Sequence, residues 1–197
     1  MGPTEGEGQA GVLSGVPQRA NALGPAAAPV TLDYFGDLEC PFCKDFTLQV
    51  LPSIIERWVA GGNLRIEYHA LQTATREPDV FLSQQVAALA AGRQDREWNF
   101  IETFYREQGQ EGSGYVTEEF LRGVASQIQG LDLSRWSTDR ADQELAGEIA
   151  RDAELAAEAG LNGTPSFLIG RSGGRMTAFA PSDLASFDSA VEQALAS

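Results

Sequence analysis

Alternating and helical patterns of apolar residues divide the first part of the chain into a strand, a helix and a second strand. Residues 30–35 form a β-prone run, VTLDYF. Residues 46–58 then carry apolar side chains at spacings of three and four, which predicts a helix that is kinked or interrupted at Pro52. Residues 64–71 alternate between apolar and polar side chains, so this segment is predicted to be a half-buried strand.

The second part of the chain has the pattern of helices followed by a hairpin and a last helix. Amphipathic segments follow one another between residues 78 and 160, and Thr117 is a predicted N-cap. Residues 166–169 and 175–179 form the predicted hairpin, and residues 184–195 form the last helix. Because a βαβ start and a ββα end are separated by helices, we predict an α/β protein. A central mixed β-sheet is flanked by helices and interrupted by a helical insertion.

The predicted elements define one domain behind a leader. The length of 197 residues fits one domain that carries an insertion. Residues 1–28 are rich in Gly, Ala and Pro and show no period, which predicts a flexible leader or linker. The domain itself then consists of a first half at 29–77, a helical insertion at 78–160 and a second half at 161–197.

The charge and the apolar content of the chain limit its partners. The chain has 28 acidic and 14 basic residues, and its net charge of −14 repels phosphate backbones, so we expect no binding to nucleic acid. No apolar run approaches the ~18 residues of a membrane helix. The start, MGPTEGEGQAG, also lacks the features of a secretory signal. We therefore expect a soluble chain in this form, with any anchor or signal outside it.

The two cysteines of the chain, Cys40 and Cys43, are separated by two residues. This spacing fits a redox dithiol, half of a zinc site or a coincidence. At the start of a helix it suits thiol–disulfide exchange, because one turn brings the sulfurs together and the free N–H groups there stabilise a thiolate. Pro41 fits the first turn, where its missing N–H costs nothing. Cys40 is therefore the predicted nucleophile, and Cys43 is the predicted resolving thiol.

Two other interpretations of the cysteine pair have weaker support. A permanent disulfide over so short a loop would stabilise the fold little. A zinc site needs further ligands, and the remaining good one is His69, which the strand pattern places as an ordinary strand residue, although two chains could share a metal. We therefore predict no metal and no cofactor other than the redox-active disulfide of Cys40 and Cys43.

The residues around the cysteines carry a family resemblance. The segment VTLDYFGDLECPFCKDF at 30–46 resembles the active-site strand and helix of the DsbA-like thiol–disulfide oxidoreductases, a branch of the thioredoxin superfamily. The segment GTPSF at 163–167 resembles the cis-proline loop that faces the dithiol in that family. The resemblance covers residues 29–196 and implies a thioredoxin fold with a helical insertion. It also implies that the backbone of Thr164 pairs with a substrate peptide and that the bond before Pro165 is cis.

We accordingly predict a site of two catalytic cysteines and four substrate-binding residues. The catalytic residues are Cys40 and Cys43, and the substrate-binding residues are Thr164, Pro165, Pro41 and Phe42.

One position departs from the family pattern. Relatives carry a buried Asp or Glu six residues before the first cysteine, which is thought to assist proton transfer at the resolving thiol. Here that position is Tyr34, and Asp33 lies on the opposite face of the strand. We do not transfer the role to Asp33. A water, a shifted strand register or Glu67 could replace the acid, or nothing does.

The residues near the cysteines also bear on the reduction potential. Phe42 stands where strongly oxidising relatives have a histidine whose charge stabilises the thiolate. Asp37, Glu39 and Asp45 oppose a second negative charge, and Lys44 favours it. We therefore predict a potential between those of thioredoxin (~−270 mV) and of the strongest oxidants (~−120 mV).

These features predict an extracytoplasmic oxidoreductase that exchanges disulfides with cysteines of other proteins. The resemblance implies regeneration by a membrane quinone-linked partner, and the linker-like leader suits a tether to an N-terminal segment missing from this chain. One alternative is a reductase or isomerase of the same fold, which a measured reduction potential would separate from an oxidant. The other is a non-catalytic binding or chaperone module, which a failure to exchange disulfides would favour.

Overall fold

A computed structural model describes residues 11–197. Its centre is a six-stranded mixed sheet with the strand order β1-β2-β4-β3-β5-β6. The strands are β1 (Gln18–Arg19), β2 (Ala22–Leu23), β3 (Val30–Gly36), β4 (Leu64–Ala70), β5 (Ser166–Arg171) and β6 (Thr177–Phe179). β3 is parallel to β4 and antiparallel to β5, so the predicted mixed sheet is confirmed.

The central strand β3 is buried along its whole length, because strands flank it on both sides and helices cover the sheet. Tyr34 of β3 lies opposite Tyr68 of β4 and Phe167 of β5. The Tyr34 ring stacks on Phe167 at 5.5 Å between centroids and meets Tyr68 edge-on at 5.4 Å. Phe46, from the following helix, packs edge-on against Tyr34 at 4.9 Å. This aromatic row holds that helix against the sheet.

The N-terminal part of the sheet corrects the predicted leader at 1–28. Residues 18–23 contain a short hairpin, and β2 pairs antiparallel with β4 at the edge of the sheet. Leu23 is fully buried and Ala28 is 2% exposed. The composition suggested a linker because it has few large apolar residues, but backbone pairing with β4 and the burial of Leu23 order this segment. Residues 1–10, the rest of the predicted leader, lie outside the described residues.

The helix after β3, named α1, is irregular but unbroken. It consists of the α-helical segments Pro41–Asp45 and Leu51–Ile54, which alternate with the π-helical segments Phe46–Val50 and Ile55–Val59. Pro52 has no N–H to donate, so it disturbs the α-helical hydrogen-bond ladder. The predicted kink or interruption therefore takes the form of wider turns.

The other helices lie between β4 and β5 and after β6. They are α2 (Pro78–Gly92), α3 (Glu97–Glu107), α4 (Glu118–Ser126), α5 (Leu133–Asp139), α6 (Gln143–Glu158) and α7 (Leu184–Ala196). Thr117 caps α4 by accepting the N–H of Phe120, as predicted. Helix α5 was not predicted, because its 7 residues are too few to show a period. Within residues 11–197, no helix combines the length and the apolar character that a membrane crossing requires.

Candidate active site

Both cysteines lie at the N-terminus of α1, directly after the loop that leaves β3. Cys40 is the N-cap residue, and its Sγ accepts the backbone N–H of Cys43 at 3.4 Å. Cys40 is 3% exposed and Cys43 is fully buried. Both sulfurs are free thiols. The N-terminal end of α1 therefore directs N–H groups at Cys40, where they favour a negative charge.

The two thiols have opposite pKa shifts. A hydrogen bond with the Cys43 side chain is the main cause that lowers the pKa of Cys40 to about 6. The Thr164 side chain and backbone N–H groups add to this effect, and burial opposes it. Burial raises the pKa of Cys43 well above its ordinary value. Near neutral pH, the site thus holds a thiolate on Cys40 and a proton on Cys43.

The loop before β5 faces the cysteines. The peptide bond between Thr164 and Pro165 is cis, as predicted. The Sγ of Cys40 lies 3.4 Å from the carbonyl oxygen of Thr164. On the other side, the Oγ1 of Thr164 lies 2.5 Å from the Oγ1 of Thr73, in the loop after β4. The structure therefore brings the predicted dithiol and the predicted cis-proline loop together.

The remaining predicted binding residues lie at the outer edge of the site. Pro41 is exposed as the first residue of α1, and Phe42 is 70% exposed. Pro165 lines an apolar cavity of about 250 Å³ with Phe46, Phe167, Pro181 and Phe187. An exposed aromatic ring next to Cys40 and a largely apolar concavity that Pro165 lines suit contact with another protein chain.

Tyr34 occupies the place of the family's buried acid. It is fully buried, and its Oη donates to the Cys43 carbonyl at 3.3 Å and lies 3.1 Å from the Oγ1 of Thr47. Burial raises the pKa of Tyr34 well above its ordinary value, so the phenol keeps its proton. Glu67 does not replace the acid, because it pairs with Asp33 in the register and lies on the face of the sheet opposite to Tyr34.

His69 is more than an ordinary strand residue. Its Nδ1 lies 2.7 Å from the carboxylate of Asp152 in α6, and its Nε2 lies 3.5 Å from that of Asp33. Burial alone would lower the pKa of His69, but the hydrogen bond with Asp152 and the nearby carboxylate of Asp33 outweigh it and raise the pKa to about 10. Asp33, Glu67 and His69 have donor atoms within 4.8 Å of one another, but a protonated imidazole does not ligate a metal. The absence of a metal stays a prediction.

Two acidic residues before Cys40 were seen in the sequence only as charges that oppose a thiolate. Asp37 is fully buried and accepts five hydrogen bonds. Glu39 is 4% exposed, and burial raises its pKa. No local pattern signals the role of Asp37, because four of its five side-chain hydrogen bonds come from the loop after β4.

Comparisons with known proteins agree with this geometry. A family profile described as Thioredoxin matches residues 18–192. The probable disulfide bond formation protein D of Bacillus anthracis is 24% identical over 151 residues, which are 75% of this chain and 68% of that protein. The crystal structure of oxidised BdbD from Bacillus subtilis is similar with a TM-score of 0.77 at 19% identity, over 92% of this chain and 98% of that one. The crystal structure of α-DsbA1 from Wolbachia pipientis is similar with a TM-score of 0.73 at 18% identity, over 89% of this chain and 90% of that one.

The fold and the site define a thioredoxin-fold protein with a dithiol at the start of its first long helix. The chain belongs to the thioredoxin family. Its similarity to a protein named for disulfide bond formation and to BdbD and DsbA structures agrees with the predicted resemblance to the DsbA-like oxidoreductases. The predicted α/β thioredoxin fold is thereby confirmed.

Proposed function

We propose that this protein exchanges disulfides with cysteines of other proteins, with Cys40 as the nucleophile and Cys43 as the resolving thiol. One observation carries the proposal: Cys40, whose pKa is lowered to about 6, lies 3.4 Å from the carbonyl oxygen of Thr164. Cys40 is thus a thiolate at neutral pH beside the cis-proline loop, where the proposed substrate segment would bind. Cys43 keeps its proton until it attacks.

In the oxidising direction, a substrate thiolate attacks the Sγ of Cys40 in the disulfide between Cys40 and Cys43. The S–S bond breaks, Cys43 leaves with the electron pair and takes up a proton, and a mixed disulfide joins Cys40 to the substrate. A second substrate thiolate then attacks the substrate sulfur and releases Cys40 as a thiolate. Two electrons pass from the two substrate thiols to the dithiol. Of the two substrate protons, one is taken up at Cys43 and one goes to solvent.

The pKa of Cys40 supports oxidation over reduction as the working direction. Because the pKa of Cys40 is about 6, its thiolate is a good leaving group, and its stabilisation lowers the free energy of the reduced protein. The value lies between those of thioredoxin (~7) and DsbA (~3.5), which fits an intermediate potential. A reductase or isomerase of the same fold remains the alternative that a measured potential tests.

Substrate binding is proposed to involve the residues around the sulfur of Cys40. The backbone of Thr164 would pair with an extended substrate segment, while Pro165, Pro41 and Phe42 supply apolar contact. The exposure of Phe42, at 70%, supports this assignment because a large apolar side chain beside the thiolate has no partner within residues 11–197 that covers it. No cofactor is needed beyond the dithiol itself.

We also place the protein on the extracytoplasmic side of a membrane, where disulfides form and persist. The names of its relatives, which refer to disulfide bond formation, support this place. A membrane quinone-linked protein is the proposed electron acceptor, and a segment beyond this chain is the proposed tether. Membranes with quinone should reoxidise the reduced protein, and quinone-depleted membranes should not. Equal reoxidation by both would contradict the proposed acceptor.

The proposed exchange is tested with a synthetic peptide that carries two thiols. The oxidised protein should convert the peptide to its disulfide at one equivalent per protein. Neither the oxidising buffer without protein nor the Cys40→Ser variant should do so. A wild-type protein that leaves the peptide reduced would overturn the function and favour a non-catalytic binding module. A protein that drives peptide disulfides to thiols in glutathione buffer would favour the reductase.

A further inference from the structure

The carboxylate of Asp37 organises the loop after β4. Asp37 is fully buried, three residues before the first cysteine, and all five of its side-chain partners are N–H or O–H groups. Its Oδ1 accepts from Glu39 N (3.0 Å) and Thr75 Oγ1 (2.5 Å), and its Oδ2 accepts from the backbone N of Thr73, Ala74 and Thr75, each at 2.9 Å. One oxygen thus gathers three consecutive N–H groups, an arrangement that fixes a backbone turn around a negative charge.

The backbone of Asp37 is bound to the dithiol at the same time. Its carbonyl oxygen accepts the N–H of Cys40 at 3.0 Å and the hydroxyl of Tyr105 at 3.2 Å. Asp37 therefore joins the residue that precedes α1 to the loop after β4. A shift of that loop would be transmitted to the turn that carries Cys40.

The loop that Asp37 holds also reaches the cis-proline loop. Thr73, whose N–H is bound by Asp37, places its Oγ1 2.5 Å from the Oγ1 of Thr164. The carbonyl oxygen of Thr164 in turn lies 3.4 Å from the Sγ of Cys40, and the Thr164 side chain lowers the pKa of Cys40. A continuous series of contacts therefore runs from the Asp37 carboxylate through Thr73 and Thr164 to the Cys40 sulfur.

We infer that Asp37 is a positioning residue of this site: through Thr73 it holds Thr164 against the sulfur of Cys40. This inference rests on the proposed function, because it assigns to Asp37 the preparation of the thiolate that carries out exchange. Asp37 itself does not touch a substrate. Its contribution is the position of Thr164 beside Cys40.

The sign of a pKa change separates positioning from simple charge. If Asp37 acted only as a nearby negative charge, its neutralisation would remove repulsion and lower the pKa of Cys40. If it positions Thr164, its replacement by Asn turns one of the two acceptor oxygens into an NH2 group that faces N–H or O–H donors. This releases the loop and shifts Thr164 from its place beside Cys40. The pKa of Cys40 should then rise.

The test is a thiolate titration of the reduced protein, followed by ultraviolet absorbance, in four variants. Asp37→Asn should raise the pKa of Cys40 by about 0.5 to 1, the equivalent of one weakened hydrogen bond. Thr73→Val removes the hydroxyl of an exposed side chain without changing its charge, and it should raise the pKa of Cys40 by a similar amount. Thr73→Ser keeps the hydroxyl and should leave the pKa of Cys40 at the wild-type value. Asp132→Ala, which removes the N-cap of α5 and its bond to Arg135, should lower stability without moving the pKa.

The outcomes are distinguishable from one another. An unchanged or lowered pKa in a folded Asp37→Asn protein would overturn the inference, as would an unchanged pKa in Thr73→Val. If Asp37→Asn does not fold, Thr73→Val and Thr73→Ser decide the question by themselves. A fifth variant combines Asp37→Asn with Thr73→Val. It should shift the pKa of Cys40 by less than the sum of the two single shifts, because both substitutions act through the same contacts. A wild-type protein that fails to oxidise the dithiol peptide would reject the proposed function, whatever the titrations show.

Discussion

The sulfur of Cys40 lies 3.4 Å from the carbonyl oxygen of Thr164, although 124 positions separate the two residues. The register of the sheet explains this approach. Phe35, near the end of β3, pairs antiparallel with Ser166, at the start of β5. The loop that leaves β3 and the loop that enters β5 therefore meet at one edge of the sheet, and the chemistry of Cys40 depends on both.

The unequal roles of the cysteines can be tested by substitution. Cys40→Ser should abolish exchange with the dithiol peptide. Cys43→Ser, given the peptide in its disulfide form, should accumulate mixed disulfides through attack of Cys40 on the peptide disulfide, because no resolving thiol remains in the protein. Alkylation of the reduced wild type with iodoacetamide below neutral pH should modify Cys40 first, since the pKa of Cys40 is about 6. Mass spectrometry locates the label. Preferential labelling of Cys43 would reverse the assignment.

Tyr34 is expected to serve the structure and not proton transfer. Its raised pKa keeps the phenol protonated, so Tyr34→Phe should leave the pH dependence of exchange unchanged. Loss of its hydrogen bond to the Cys43 carbonyl should lower the free energy of unfolding by about 1 kcal/mol, measured in urea. If one limb of the pH–rate profile disappears in this variant, Tyr34 takes part in the proton transfer after all.

Leu23 is expected to anchor the N-terminal hairpin to the rest of the fold. Leu23→Ala should lower the free energy of unfolding by about 2 to 4 kcal/mol, because the side chain is fully buried against the sheet. The control is Val12→Ala at a position that is 37% exposed, which should change stability by less than about 0.5 kcal/mol. If both substitutions change the free energy of unfolding by similarly small amounts, this segment behaves as a linker.

The buried pair of His69 and Asp152 makes stability depend on pH. The folded-state pKa of His69 is raised to about 10 from an ordinary 6.5, so the folded protein holds an extra proton between these values. The pair therefore stabilises the fold fully below pH 6.5, and this contribution is lost as the pH rises through 10.

Asp152→Asn is the variant that tests this dependence. At neutral pH it should lower the free energy of unfolding by about 3 kcal/mol, and above pH 10 the difference from wild type should shrink. Urea unfolding at a series of pH values measures both. A difference that is constant with pH would show that the imidazole is not charged in the folded protein.

Local sequence patterns were sufficient where the signal lies within one element. The β-prone run at 30–35, the Pro41 at the start of α1 and the Thr117 cap all occur as predicted. The family motifs further indicated that Thr164 and Pro165 face the dithiol, which no periodicity could have shown.

The features that the sequence analysis missed depend on partners far along the chain. The hairpin at 18–23 is ordered by pairing with β4, and its own composition resembles that of a linker. Asp37 meets Thr73 across 36 positions and His69 meets Asp152 across 83, so neither contact has a local signature. The tertiary fold therefore decides whether such an acidic residue is a solvated charge or a buried anchor.

The assignment of Cys40 as a thiolate nucleophile is tested by the thiolate titration of the reduced wild-type protein, with Cys40→Ser as the reference. We predict a transition with a midpoint at about pH 6 that is absent in Cys40→Ser, because the side chains of Cys43 and Thr164 lower the pKa of Cys40. A midpoint near ~8.5, the ordinary value for cysteine, would contradict it.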